Sequence, residues 1–260
     1  MLSTCSITFS TFDLISSSLY LNSNEVISGF GSSIAKAISD FKAKKLSPVE
    51  LIDAVIDRTE HVDAEINAFT YTFFDQAREA AKIAEKKYAS NEETGELEGL
   101  PIGVKDESGI IGQPLSKGSL IYKDYIAEDT SPVNQRVIDA GAIVHARTAT
   151  PEFSCAGFTW SRLWGVTRTP WNTEFTSGGS SGGSAASLAA GTSTICTGSD
   201  IGGSIRTPCH WSGVCGHKPS YGVVSALGQI PGMPGTLSQA DIAVAGPMAR
   251  DVDDLEICLL

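Results

Sequence analysis

Two serine-centred glycine runs stand out, Gly178-Gly-Ser-Ser-Gly-Gly-Ser184 and Gly198-Ser-Asp-Ile-Gly-Gly-Ser-Ile-Arg206. Consecutive glycines ahead of a serine let several backbone N–H groups turn into one concavity, an anion-binding nest. Beside a nucleophile such a nest is an oxyanion hole, worth about 3–4 kcal/mol per donor in hydrolases. Ser204, with donors from Ile201, Gly202 and Gly203, has this arrangement, and Asp200 and Arg206 are spaced to clamp the loop between them. Phosphate binding is the competing use of such glycines, but no Gly-Lys-Ser/Thr follows either run.

A serine hydroxyl is a poor nucleophile until a base takes its proton. The chain has four histidines, His61, His145, His210 and His217. His61 falls on a polar helix end and His145 in a buried strand. The other two lie in Cys209-His210-Trp-Ser-Gly-Val-Cys215-Gly-His217, whose spacing matches none of the common structural zinc patterns, so no metal is expected. A Ser-His-Asp triad stays open on sequence grounds, because triads assemble from residues far apart in the chain. Lysine is the other candidate base, provided burial lowers its pKa enough for the neutral amine to exist. Lys105, after Pro-Ile-Gly-Val, has the most apolar context of any lysine here. Its competing reading is structural, a strand-end lysine paired with Asp106 or Glu107.

These residues need elements to hold them. Ile34, Ala37, Ile38 and Phe41 recur at helical spacing after Ser33. Ser47, Pro48 and Glu50 form a helix start with a capping box, followed by a buried stripe of Leu51, Ile52, Val55 and Ile56. A third helix is expected over 75–89, then a surface loop over 91–98. From Leu100 the pattern alternates: a buried strand over 101–104 ending at Lys105, a helix over 133–140 stopped by Gly141, and a strand over 142–146. A small-residue helix over 184–190, stopped by Gly191, and a strand over 194–197 follow. Such alternation argues an α/β fold. The Ser/Gly run at 177–184 has linker composition. Its place between a Trp-rich segment (Trp160, Trp164, Trp171) and an Ala-rich helix argues for a structured turn instead.

Bulk properties narrow the classes. The 260 residues suffice for a large single core, and the composition, 42% apolar and 19% charged, is ordinary apart from 26 glycines. The net charge of -11 disfavours a nucleic-acid binder and suits an enzyme acting on a neutral or apolar substrate. Six scattered cysteines make no disulfide framework, which points to a reducing, cytoplasmic setting. No apolar run reaches the about 18 residues of a spanning helix. Residues 1–30 contain no Lys or Arg, lack the positive start of a secretory signal, and read as an irregular N-terminal extension.

From about Gly99 to Asp254 the chain resembles the amidase signature family, which includes bacterial amidases, fatty acid amide hydrolases and the glutaminyl-tRNA amidotransferase A subunit. The matching elements, in order, are Gly-Leu-Pro-Ile-Gly-Val-Lys105-Asp, Gly178-Gly-Ser180-Ser-Gly-Gly-Ser-Ala-Ala186 and Gly198-Ser-Asp-Ile-Gly-Gly-Ser204-Ile-Arg206. Gly216-His-Lys-Pro-Ser-Tyr-Gly222 and Gly246-Pro-Met-Ala-Arg250 complete them. The resemblance implies a mixed β-sheet core with helices on both faces, spanning 31–260 and incomplete on its C-terminal side, because family members are usually much longer. It implies Ser204 as the acylating nucleophile, Ser180 as a bridging serine after a cis Gly179–Ser180 peptide, and Lys105 as the ultimate base. It also implies an oxyanion hole from the amides of Ile201, Gly202, Gly203 and Ser204, Asp200 and Arg206 as structural support, and Gly179 and Ser180 beside the substrate. The implied reaction is hydrolysis of a carboxamide through an acyl-enzyme, without cofactor or metal. The expected partners are a small-molecule amide and, at most, a second copy of the chain in a homodimer; neither nucleic acid nor a membrane span is expected. An inactive shortened relative is the first alternative and a glutamine amidotransferase A-like protein the second. The stretch 228–241 resembles general amidases more than the tRNA-dependent enzymes.

Overall fold

A computed structural model describes residues 33–228 and 242–259. The N-terminal extension and nearly all of the 228–241 stretch therefore lie outside the described residues. The first two helices begin where their caps direct. Helix α1 (Ile34–Lys42) is capped by the Ser33 side chain. Helix α2 (Pro48–Ile66) opens with Ser47 and Glu50 in the reciprocal box: the Glu50 amide donates to Ser47 Oγ, and the Ser47 amide donates to Glu50 Oε2. Strand β1 (Phe69–Thr72) and helix α3 (Phe74–Ser90) follow.

The sheet core comes next: β2 (Pro101–Lys105), helix α4 (Pro132–Asp139) and β3 (Ile143–Thr148). The Trp-rich segment forms two small antiparallel pairs that sequence reading did not anticipate. They are β4 (Trp160–Ser161) with β5 (Gly165–Val166), and β6 (Arg168–Thr169) with β7 (Asn172–Thr176). The chain continues with helix α5 (Gly182–Ala190), β8 (Ile195–Asp200), helix α6 (Arg206–Ser212) and β9 (Cys215–Gly216). Strand β10 (Val244–Ala249) and helix α7 (Val252–Ile257) complete the described elements.

One six-stranded mixed sheet runs β1-β3-β2-β8-β10-β9. Strand β2 is parallel to both neighbours, β3 and β8, while β1, β10 and β9 pair antiparallel. The expected α/β class with a mixed sheet and flanking helices is what forms. Helices α2 and α3 bury Ile52, Ile56, Ala77 and Ala81 with Ile143 of the sheet. Helix α5 packs Ala185 and Leu188 with Cys196, Met248, Ile205 and the α6 residue Cys209. Val62 and Ile66 of α2 meet Ala186 and Ala190 of α5, so the two helical groups touch.

The strand expected to stop at Thr197 runs on to Asp200. Gly198 and Ser199 have weak strand preference, but antiparallel pairing with β10, from Ile195↔Ala249 to Asp200↔Val244, carries them. The Ser/Gly run is not a linker: Ser177, Ser180, Ser181 and Ser184 are all buried. Among the described residues no helix is long and apolar enough to cross a membrane.

Candidate active site

Lys105 closes β2, and its backbone N–H donates to Thr197 Oγ1 across to β8 at 3.0 Å. Because β2 and β8 are parallel, the loops leaving their C-terminal ends emerge on one rim of the sheet. The Lys105 side chain is 1% exposed. Its Nζ donates to Ser180 Oγ at 2.8 Å and to Ser199 Oγ at 3.0 Å, and it lies 3.0 Å from Glu107 Oε2. Burial lowers the Lys105 pKa below its ordinary value, against the opposing pull of Glu107 and Asp200. The ion-pair reading and the base reading of Lys105 thus share one site, with Glu107 rather than Asp106 as the partner.

The Ser180 turn is stitched in place from several directions. Gly179–Ser180 is a cis peptide. Thr159 Oγ1 donates to the Gly178 carbonyl at 2.9 Å and accepts from the Gly182 N–H at 3.0 Å. A Cβ on Gly179 would come 2.8 Å from Phe158 backbone, so only glycine passes there. Next along, the Ser181 N–H donates to the Ser204 carbonyl at 3.1 Å, tying this turn to the other serine loop. Helix α5 then anchors on the sheet through Ser184 Oγ, which donates to the Thr197 carbonyl at 2.9 Å and meets Thr148 Oγ1 at 2.7 Å.

The Ser204 loop is built around Asp200. Asp200 Oδ1 accepts from the Gly203 N–H (2.8 Å) and Arg206 Nη2 (2.9 Å). Oδ2 accepts from the Ile205 N–H (3.1 Å), the Arg206 N–H (3.3 Å) and Arg206 Nε (3.0 Å). Burial pushes the Asp200 carboxyl up, but the Arg206 hydrogen bond and the three backbone amides outweigh it and hold the pKa below the ordinary value. The expected Asp200–Arg206 clamp is present, and it takes one of the expected oxyanion donors, the Gly203 N–H, as part of its structure. No side-chain or turn hydrogen bond among the described residues takes the amides of Ile201, Gly202 or Ser204.

Lys105 and Ser180 are therefore directly bonded, and Ser180 and Ser204 are neighbours through the Ser181 amide. No hydrogen bond joins the hydroxyls of Ser180 and Ser204 among the described residues. Ser204 is half-buried at the loop. No hydrogen bond links a histidine to either serine among the described residues. His145 is buried, its Nε2 lies 2.8 Å from the Thr192 carbonyl, and burial drops its pKa to about 4. Among the described residues no group of His, Cys, Asp or Glu could hold a metal ion, and the five described cysteines are free. Sequence reasoning missed one member of the cluster, Ser199, and named Glu107 without placing it at the candidate base. Ser199 lies inside the second glycine-serine run, and Glu107 stood out only as an ion-pair partner.

The amidase family profile matches residues 50–260. An indoleacetamide hydrolase of Bradyrhizobium diazoefficiens is 40% identical over 214 residues, covering 82% of this chain and 41% of that protein. The A subunit of a glutamyl-tRNA(Gln) amidotransferase from Gloeothece citriformis is 39% identical over 216 residues, covering 83% and 44%. Among solved structures, a fatty acid amide hydrolase superposes with a TM-score of 0.87 at 30% identity, covering 94% of this chain and 43% of that one. A bacterial aryl acylamidase gives a TM-score of 0.81 at 31% identity, covering 88% and 46%. The chain spans less than half the length of these relatives. With the glycine-serine loops, the buried lysine and the mixed sheet already in hand, this match over most of the sequence means that the chain belongs to the amidase family.

Proposed function

We propose that this chain carries the acyl-transfer machinery of an amide hydrolase, converting a carboxamide to the acid and ammonia or an amine. Ser204 Oγ attacks the carbonyl carbon, and its proton passes through Ser180 Oγ to the uncharged Lys105 amine. Rotation of the Ser204 hydroxyl onto Ser180 completes this relay. The oxyanion is received by the amides of Ile201, Gly202 and Ser204, while Gly203, Asp200 and Arg206 keep the loop in shape. Collapse expels the amine with the proton returned along the relay, and water releases the acyl group by the same route. Gly179 and Ser180 border the scissile amide. No cofactor enters this scheme, and a cytoplasmic setting and a homodimer are compatible with it.

The observation that carries the proposal is the buried Lys105 Nζ 2.8 Å from Ser180 Oγ, with burial depressing its pKa. A fluorophosphonate probe tests it. Labelling that is lost in Ser204→Ala and kept in Ser181→Ala supports the assignment; an unlabelled parent chain, or labelling retained in Ser204→Ala, refutes it. Two other readings each have one observation behind them. A non-catalytic role draws on the missing hydroxyl-to-hydroxyl bond between Ser180 and Ser204. An amidotransferase A-like role draws on the relative from Gloeothece citriformis, and glutamine turnover in the presence of partner proteins distinguishes it.

A further inference from the structure

Lys105 Nζ has three polar partners, Ser180 Oγ, Ser199 Oγ and Glu107 Oε2, at 2.8, 3.0 and 3.0 Å. An ammonium group has three N–H bonds, so the charged form satisfies all three. The neutral amine has two N–H bonds and one lone pair, so one partner must donate a hydrogen bond to it. A carboxylate only accepts. Glu107 therefore claims one N–H, and the lone pair is left to face a serine hydroxyl.

Glu107 is itself held for this task. It is 3% exposed, and Ser154 Oγ donates to the same Oε2 at 2.6 Å. The charges acting on the pair come from several elements: Arg147 of β3 acts on Glu107 and Asp106, and Asp200 of β8 acts on Lys105. Arg147 is fully buried, and its Nη2 donates to the Lys105 carbonyl at 3.3 Å and to the Ser108 carbonyl.

We propose that Glu107 is a positioning residue for Lys105, fixing one amine N–H so that, with the second N–H on Ser199 Oγ, the lone pair is left to Ser180 Oγ, the start of the serine relay. The inference rests on the hydrolase reading. Glu107 also raises the basicity of Lys105, opposing the effect of burial. A side chain at 107 that is neutral and can donate, as in Glu107→Gln, undoes both effects.

The test is the rate of fluorophosphonate labelling of Ser204 against pH in the full chain. In the parent, labelling rises along an acid limb as Lys105 loses its proton. In Glu107→Gln that limb moves to lower pH by about 1 unit or more, the scale of a nearby opposite charge. The plateau above it falls about tenfold or more, the low end of what a positioned proton-transfer group contributes, because the lone pair can be spent on the amide. A plateau loss with an unmoved limb means a merely structural residue and overturns the inference. An unlabelled parent overturns the hydrolase reading and this inference with it. Where Glu107→Gln does not fold, Ser154→Ala serves: it keeps the carboxylate, removes its hydroxyl donor and moves the limb to higher pH. An unmoved limb there overturns the inference equally.

Discussion

Replacing Asp200 by Ala should be far more damaging than replacing its ion-pair partner Arg206, although the two form a single salt bridge. The Arg206 side chain is 57% exposed although Asp200 is buried, so water can replace the guanidinium at the open side of the carboxylate, and a pair open to solvent in this way contributes about 1 kcal/mol. The Gly203 and Ile205 amides that Asp200 receives are buried and have no such recourse. Each buried donor left without a partner costs about 1–3 kcal/mol. Asp200→Ala should therefore lose about 2–6 kcal/mol, and Arg206→Ala no more than about 1 kcal/mol. With a urea slope of about 3 kcal/mol per M, the midpoint falls by about 0.7–2 M in the first variant and by about 0.3 M or less in the second. Labelling at Ser204 should fall by about 100-fold or more in Asp200→Ala, since a displaced loop loses at least one oxyanion donor. In Arg206→Ala it should stay within about tenfold, the equivalent of that same 1 kcal/mol and a margin for local loosening. The carboxylate also sets a pH dependence. Its folded pKa lies below the ordinary 3.8, so its stabilisation is complete above that value and disappears as pH falls through the lower folded one. The stability gap between parent and Asp200→Asn should shrink over that acid range. Equal midpoint losses in the Ala variants at 200 and 206 would refute the reasoning, because they would make the ion pair, not the amide cage, the source of order.

Three further outcomes follow from the same geometry. Lys105→Met should abolish labelling and lose about 3–5 kcal/mol in urea melts, because it leaves the Glu107 charge buried without its partner; Lys105→Met combined with Glu107→Gln should recover part of that stability, and no recovery would count against the pairing. Gly183→Ala should fail to accumulate as folded protein, since its Cβ would sit 2.2 Å from the Ala149 amide nitrogen and 2.5 Å from the Ala68 carbonyl oxygen, whereas Gly202→Ala, with nothing within 4 Å, should melt like the parent. Burial raises the Asp63 pKa to about 6, so its contribution to stability is complete below 3.8 and is lost as pH rises through about 6. Thermal melts of Asp63→Asn should therefore gain on the parent as pH rises from about 4 to about 8.

What the sequence disclosed is what short-range chemistry controls. Ser47, Pro48 and Glu50 start a helix wherever they occur in that order, and α2 begins there. The glycines at 191 and 213 end helices by adopting the left-handed backbone that other residues resist. Lys105 at a strand end, the Asp200–Arg206 clamp and the glycine-rich approach to Ser204 were legible because each is a local pattern. The remainder is long-range. Ser199 lies 94 positions from Lys105 and reaches its amine only because β2 and β8 run side by side. The last residues of β8 are poor strand formers and become strand through β10, a partner their own sequence does not announce. The engagement of the Gly203 amide by Asp200 depends on which way one N–H points, and residue types do not encode that.

The parallel placement of β2 between β3 and β8 divides the molecule into two rims with unequal freedom. Everything assigned a chemical role hangs from the rim where those strands finish. At the opposite rim, where the chain enters β2, β3 and β8 near Gly99, Ala142 and Thr194, none of the described residues has been given a chemical role. Additions at the exposed turn of residues 91–93, on that far side, can therefore lengthen the chain without disturbing where the lysine and the two serines meet. A surface handle for immobilisation or a fluorescent reporter belongs there.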